Sequence, residues 1–252
     1  MEFVKLTTLN IGPIAIQLWG LLVAVGLLLA LLLAVKEAKL RKMDTERFFD
    51  LFIIVFVAGL IGARLMYCIE HYDVFLAEPF KIINILEGGL NFYGGFLLAG
   101  LASWLYVRIK KLKFWKMADV IAPGLALAIG IGRIGDYLSG SIVGARTNCF
   151  LGSYYNGDLR HEPSLYLIIN ALILFIALQL IKPFVRKKEG VLAYLFVVWY
   201  AVARLILDFT RNTDITYLAE PRFLYLTLSQ WISVVLIVVF APLLVMKLKK
   251  RK

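Results

Sequence analysis

The sequence predicts an all-α integral membrane protein with seven transmembrane helices. Three observations carry this reading. Of the 252 residues, 61% are hydrophobic and 18% charged, against roughly 45–50% and about 25% in soluble domains. Seven stretches are apolar enough for helices that cross about 30 Å of hydrocarbon. Lys and Arg collect on one side of those stretches, segment after segment. A mean hydropathy of +0.82 excludes a soluble globular enzyme, a disordered tail and a disulfide-stapled secreted module. On so apolar a chain, the net charge of +11 is a topology signal before it is a nucleic-acid surface.

The first span covers residues 11–35. The segment before it, MEFVKLTTLN, is weakly charged, and no small-residue cleavage site follows, so it reads as an uncleaved span. The second, 48–69, contains Arg64. The third, 92–107, is short. The fourth, 117–138, contains Arg133. The fifth is 165–181, also short, and the sixth, 191–207, contains Arg204. The seventh is 223–246. None alternates strictly as a barrel strand would. With no repeat and no low-complexity segment, residues 1–252 read as a single polytopic membrane domain.

Orientation follows from the loops. One side holds Lys36, Lys39, Arg41, Lys42 and Arg47, then Arg108 to Lys116, then Lys182 to Lys188, then the basic C-terminus: nineteen in all. The other side holds Lys5, Lys81, Arg146, Arg160, Arg211 and Arg222. The N-terminus is therefore placed outside and the C-terminus in the cytoplasm. The remaining three arginines lie inside spans. Outer segments 70–91 and 139–164 are long and rich in acids, aromatics, Gly and Pro, as functional loops, arms or small head elements are. Part of 75–91 is amphipathic and suits the outer interface or a re-entrant path. Chemistry is expected at the outer mouth of the bundle.

A charge at bilayer depth costs roughly 2.5–3.5 kcal/mol on insertion scales, so each intramembrane arginine needs a partner, a wet cavity or an anionic ligand. Arg64 and Arg204 lie near outer span ends, where snorkelling is the plain alternative. Arg204 also has Asp208 one turn on. Arg133 sits in GIGRIGDY, whose glycines permit close approach of a helix or a lipid headgroup. A planar guanidinium suits a phosphate because it offers two donors at once. Residues 130–135 spell GxGxxG, but inside an apolar span and not after a strand, so the match is coincidental. Gly88-Gly89 and Gly94-Gly95 flank Phe92-Tyr93 at the start of the third span. They read either as a hinge or as an anion site at a helix N-terminus. Arg160-His161-Glu162-Pro163 opens the fifth span as a helix start. His161 and His71 are the only histidines, and a lone His is usually structural, though either could accept a proton. Cys68 and Cys149 would permit a disulfide in an oxidising compartment. No metal-ligand spacing occurs, so neither metal nor cofactor is expected.

These residues resemble the prolipoprotein diacylglyceryl transferases over nearly the whole chain. The opening IGPIAIQLWG, Gly62-Ala63-Arg64-Leu65, and Gly88-Gly89-Leu90 through Tyr93-Gly94-Gly95 are similar to family elements. So are GRIGDYLSGSIVG (Gly132 to Gly144) with Arg146-Thr147-Asn148, Arg160-His161 with Leu165-Tyr166, YAVARLILDFTRNTD (Tyr200 to Asp214), and Leu226-Thr227 with Gln230. The departures are polar: Trp19 stands where the family usually has Tyr, and Tyr93 where it often has His. Asp136 and Ser139 replace Asn, and Ser141 replaces Glu.

The resemblance implies a seven-span enzyme of the prokaryotic plasma membrane. Such enzymes move diacylglycerol from phosphatidylglycerol to the lipobox cysteine of a preprolipoprotein, forming a thioether and releasing glycerol phosphate. It implies Arg133 and Arg204 at the phosphate, and Tyr93 and Asp136 to orient the headgroup or relay the thiol proton, with His161 as an alternative base. It implies a substrate-binding surface of Trp19, Arg64, Gly94, Gly95, Ser139, Ser141, Gly144, Asp208, His161 and Tyr166. The competing reading is a catalytically degenerate relative that binds anionic lipid as a carrier or scaffold. A solute channel or carrier would call for inverted repeats, which are not seen.

Overall fold

In the computed structural model, residues 6–11, 14–83, 89–215 and 220–249 are described. The protein is mostly helical. Among the described residues six helices are long and apolar enough to cross a membrane, as an all-α integral membrane protein requires. These are α1 (Leu18–Leu40), α2 (Glu46–Glu70), α5 (Phe114–Ser139), α6 (Pro163–Val185), α7 (Val191–Leu207) with its 3₁₀ extension to Thr210, and α8 (Leu228–Lys249). Between α2 and α5 lie the short α3 (Tyr72–Ala77), a 3₁₀ turn (Pro79–Ile82) and α4 (Phe92–Ile109). The expected third span corresponds to α4, an 18-residue helix. The literal GxGxxG lies wholly inside α5, as the apolar pattern requires.

Two expected spans are corrected at their outer ends. The first was expected from residue 11, but α1 begins at Leu18. Antiparallel strands β1 (Thr8–Ile11) and β2 (Ile14–Gln17) precede it, with Thr8 opposite Gln17. The seventh was expected from residue 223, but α8 begins at Leu228 after a second short hairpin, β5 (Arg222–Phe223) and β6 (Leu226–Thr227). Both segments are apolar enough to read as helix. Their backbone groups are satisfied by strand pairing instead, which hydropathy does not register. The sequence from 75 to 91, part of which was expected to be amphipathic, holds the end of α3, the 3₁₀ turn and the residues that lead into α4, ending on its cap Asn91; residues 84–88 lie outside the described set.

The chain forms two compact units. The first comprises the residues up to Ala34 together with Trp115 onward. Within it α1 and α5 approach through small residues: a Cβ on Gly124 would come within 2.8 Å of the Ala30 carbonyl, and one on Gly135 within 2.9 Å of Trp19 Cα. Helices α5, α6 and α7 share a core of Ala126, Leu174, Leu178 and Leu192, with Phe196, Trp199 and Tyr200 packed against it. The start of α7 is capped from α5. Buried Asp119 accepts from Gly190 N at 2.5 Å and Ala193 N at 2.9 Å, meeting the free N–H groups of a helix end with a fixed negative charge. At the other end of α7, Gln230 of α8 donates to the Leu205 carbonyl at 3.1 Å and accepts from Thr227 N.

The second unit, Val35–Phe114, is built on the α2–α4 pair. Gly62 and Gly94 face each other so closely that a Cβ on either would overlap the other's carbonyl. Gly59 and Gly95 repeat the contact one turn away. This is the small-residue packing by which membrane helices associate where no hydrophobic drive exists. Asn91 caps α4, accepting from Tyr93 N at 2.8 Å and Gly94 N at 3.2 Å.

The helix contact predicts opposite outcomes for two glycines. Gly62→Ala should cost about 1–3 kcal/mol, because the added methyl has no room. Gly100→Ala on α4, where a Cβ meets nothing within 4 Å, should be neutral or gain about 0.5–1 kcal/mol from helix propensity. Thermal unfolding in detergent, compared for the two variants, checks both.

Candidate functional site

The last turns of α5 and α7 bring two of the three span arginines into one neighbourhood. Arg133 Nη1 donates to Asp136 Oδ2 at 2.6 Å, one helical turn away. The Tyr200 hydroxyl of α7 also engages the Arg133 guanidinium. Four residues further along α7 stands Arg204, whose Nη1 lies 3.3 Å from Asp208 Oδ1. Tyr200 and Arg204 share a helix face at i and i+4, so the Tyr200 contact brings Arg133 to the face of α7 on which Arg204 stands. Each guanidinium meets its carboxylate through a single terminal nitrogen, and the side chains keep 24% and 15% of their surface exposed.

Asp208 is the hub behind Arg204. It is 1% exposed. Its Oδ2 accepts from Thr227 Oγ1 at 3.1 Å and, closely, from Ser229 Oγ. Arg211 Nη1 stands 3.9 Å from Oδ1 and pairs with Glu220 at 2.5 Å. A buried carboxylate with this many partners is a positioning group, not an exposed contact for lipid. A cavity of about 40 Å³ adjoins it, lined by Ser141, Ile142, Val143, Arg211, Asn212 and Glu220. That is room for a water and not for a phospholipid head.

Several residues expected at a substrate surface have structural partners instead. Ser139 and Ser141 both donate to the Asp136 carbonyl, at 3.1 and 3.4 Å; they close the C-terminal end of α5, a terminus whose carbonyls lack helical donors. Gly144 is required by close approach, since a Cβ there would overlap the His161 carbonyl. Trp19 is half-exposed at the start of α1, its backbone packed on Gly135. His161 Nδ1 pairs with the Tyr166 hydroxyl at 2.9 Å, so these two act as one unit. In the second unit, Gly94 and Gly95 are occupied by the α2 contact. Arg64 is buried, with its guanidinium donating to the carbonyls of Ile82 (3.0 Å), Gly89 (3.0 Å) and Lys81. It also lies over the rings of Tyr67 and Phe75. It clamps the α3–3₁₀ segment to α2, and snorkelling is not its fate. Tyr93 stands exposed on the first turn of α4.

The segment 139–164 carries a network that sequence reading missed. Strands β3 (Ser153–Tyr155) and β4 (Asp158–Arg160) form a hairpin. Its loop, Asn156-Gly157, has φ +49° and +85°. Asn-Gly is the strongest short hairpin signal in a sequence, and it was there to be read. Arg160, expected as a loop charge before the fifth span and as part of a family-like element, is 2% exposed. It grips Asp214 with both terminal nitrogens, at 2.9 and 2.7 Å, and the Gly144 carbonyl at 3.1 Å. Arg146 adds contacts to Asp158 and Asp214. Hydrogen bonds to Arg160 hold the Asp214 carboxyl down at about 2. Burial pushes the Glu162 carboxyl up, against the Ser153 hydroxyl bond that lowers it. Both cysteines are free thiols. Among the described residues no cluster of three metal-ligating side chains exists.

A profile of the family described as prolipoprotein diacylglyceryl transferase matches residues 7–246. The chain belongs to that family. It is 32% identical to the phosphatidylglycerol–prolipoprotein diacylglyceryl transferase of Listeria innocua serovar 6a, over 94% of this chain and 87% of the relative. It is 31% identical to the enzyme of that name from Bacillus licheniformis, over 93% and 89%. For the one from Streptococcus mutans serotype c the identity is 29%, over 95% and 93%. In this family member, Arg133 and Arg204 each stand beside an acid one turn on, Asp136 and Asp208.

The Arg160–Asp214 pair gives the β3–β4 hairpin a pH dependence. The folded Asp214 carboxyl titrates near 2, below the ordinary value of about 3.9. The stability this pairing contributes is therefore full above about pH 4 and lost as pH falls toward 2. Compared with Asp214→Asn, the native chain should show a higher thermal midpoint by a constant margin from pH 7 to 5. That margin should shrink below about pH 4.

Proposed function

We propose that this chain transfers the diacylglyceryl group of phosphatidylglycerol to the lipobox cysteine of a preprolipoprotein; the names of its relatives, phosphatidylglycerol–prolipoprotein diacylglyceryl transferases, support the reaction class. The observation that supports the proposal within the structure is that Arg133, paired with Asp136, meets Tyr200 on α7, one turn before Arg204 with its own partner Asp208. The chemistry is an alkyl transfer. The substrate thiolate attacks the glycerol carbon that bears the phosphate. A C–S bond forms, the C–O bond breaks, and the electron pair leaves with glycerol phosphate. The thiolate is the reactive form, so a base must take the thiol proton. The leaving phosphate needs positive charge fixed in place beforehand, so that no reorganisation is required as its charge develops.

In this reading Arg133 and Arg204 meet the phosphate, with Asp136 and Asp208 as their standing partners. Asp136 orients the headgroup or passes on the thiol proton, with the His161–Tyr166 pair as the alternative base. Ser139, Ser141 and Gly144 support the site through the turn that follows α5. The proposal takes α4 as a seventh span, with the N-terminus outside and the C-terminus cytoplasmic. It places residues 1–252 as one polytopic domain in the prokaryotic plasma membrane, with the donor lipid and the signal peptide meeting at its outer face.

Reconstitution tests it. In phosphatidylglycerol vesicles with a lipobox peptide, the native chain should yield a thioether-linked diacylglyceryl peptide and free glycerol phosphate. Arg133→Ala should lower the rate by about 10²–10³-fold, the loss typical of a single charge-stabilising donor. Arg133→Lys should recover only part of it, because a point charge does not replace a planar fork. Full activity in Arg133→Ala would remove the central assignment. Lipid binding without product in the native chain would favour the carrier or scaffold reading.

A further inference from the structure

The β5–β6 hairpin carries an apolar tip for which the proposed chemistry has no use. Phe223 pairs with Leu226, leaving Leu224-Tyr225 as a two-residue loop. Their φ angles are +49° and +66°. Two positive φ values are the mark of a type I′ loop, a conformation that suits Asn and Gly and opposes Leu and Tyr. The hairpin is nevertheless braced: Trp231 Nε1 donates to the Phe223 carbonyl at 3.0 Å, with the two rings 6.5 Å apart. Phe223, Leu224 and Tyr225 are 72%, 65% and 90% exposed. A strained backbone that holds three large apolar side chains outward has its explanation in what surrounds them.

The surrounding surface is identified by continuity. Leu228, Ile232, Val235 and Val239 are exposed at helical spacing along α8, a helix long and apolar enough to cross the membrane. That stripe faces lipid, and the tip extends it past the end of the span, where aromatic side chains favour the interface. We infer that Phe223, Leu224 and Tyr225 form an interfacial wedge, inserted among the lipids at the end of α8 that carries the Arg204–Asp208 cluster. The partner is the bilayer itself: its glycerol and upper acyl region for Phe223 and Leu224, and its headgroup layer for the Tyr225 hydroxyl. The wedge is joined to the cluster through Thr227, which ends β6 and donates to Asp208. Its depth therefore sets the depth at which Arg204 meets lipid phosphates. This last consequence rests on the transferase reading; the insertion does not.

The test uses the full chain with Cys68→Ala and Cys149→Ser, in vesicles of phosphatidylglycerol and phosphatidylethanolamine. A spin label is placed at Leu224→Cys or, as reference, at Asn156→Cys on the exposed β3–β4 loop. At 224, collisions with oxygen should exceed those with a water-soluble nickel complex; at 156 the order should reverse. Equal nickel access at both positions would overturn the wedge. The double variant Leu224→Asn/Tyr225→Gly keeps the loop geometry and removes the apolar tip. It should raise the KM for phosphatidylglycerol in vesicles about tenfold, with transfer in detergent unchanged and the thermal midpoint not lowered. An unchanged KM in vesicles would overturn the link to lipid supply. A native chain with no transfer at all would overturn the transferase reading, while the label depth still decides the wedge.

Discussion

A guanidinium at bilayer depth has to be matched by charge or by hydrogen-bond acceptors, and this requirement organises the protein. The matching is done in two different ways. Arg64 is saturated by backbone carbonyls, which neutralise its donors without adding charge, and the result is a clamp. Arg133 and Arg204 are matched by carboxylates on their own helices, one turn on. The two modes differ in whether a net charge is left balanced or unbalanced, and the sequence around Arg64 does not reveal that carbonyls from a later segment will meet it.

The second constraint is the lack of a hydrophobic drive between helices in lipid. Glycine and alanine supply close contact instead, at Gly62 against Gly94 and at Gly124 against Ala30. Polar staples then fix the axial register. Asp119 ties the start of α7 to α5, and Gln230 ties its end to α8. Together they hold α7, which carries Tyr200 and Arg204, at both ends.

The polar departures from the family pattern also gain a physical setting. Ser139 and Ser141 serve the end of α5 by capping the Asp136 carbonyl. Asp136, in place of an amide, brings a charge that faces Arg133 directly. The cations at positions 133 and 204 are thus balanced by carboxylates on neighbouring turns.

What the sequence alone determined is the family, the membrane class and most helix positions to within a few residues. Hydropathy and charge are local sums, and helices in lipid must satisfy their own backbone, so the pattern and the structure have little room to disagree. The tertiary structure decided the rest. The segments before α1 and α8 hold strands because strand partners satisfy their backbone, a pairing that apolarity does not encode. Arg64 became a clamp, Gly94 a helix contact and Arg160 the centre of a polar network, because each depends on which groups lie opposite after folding. Arg160 and Asp214 are 54 residues apart in the chain, and no local pattern carries information over that distance.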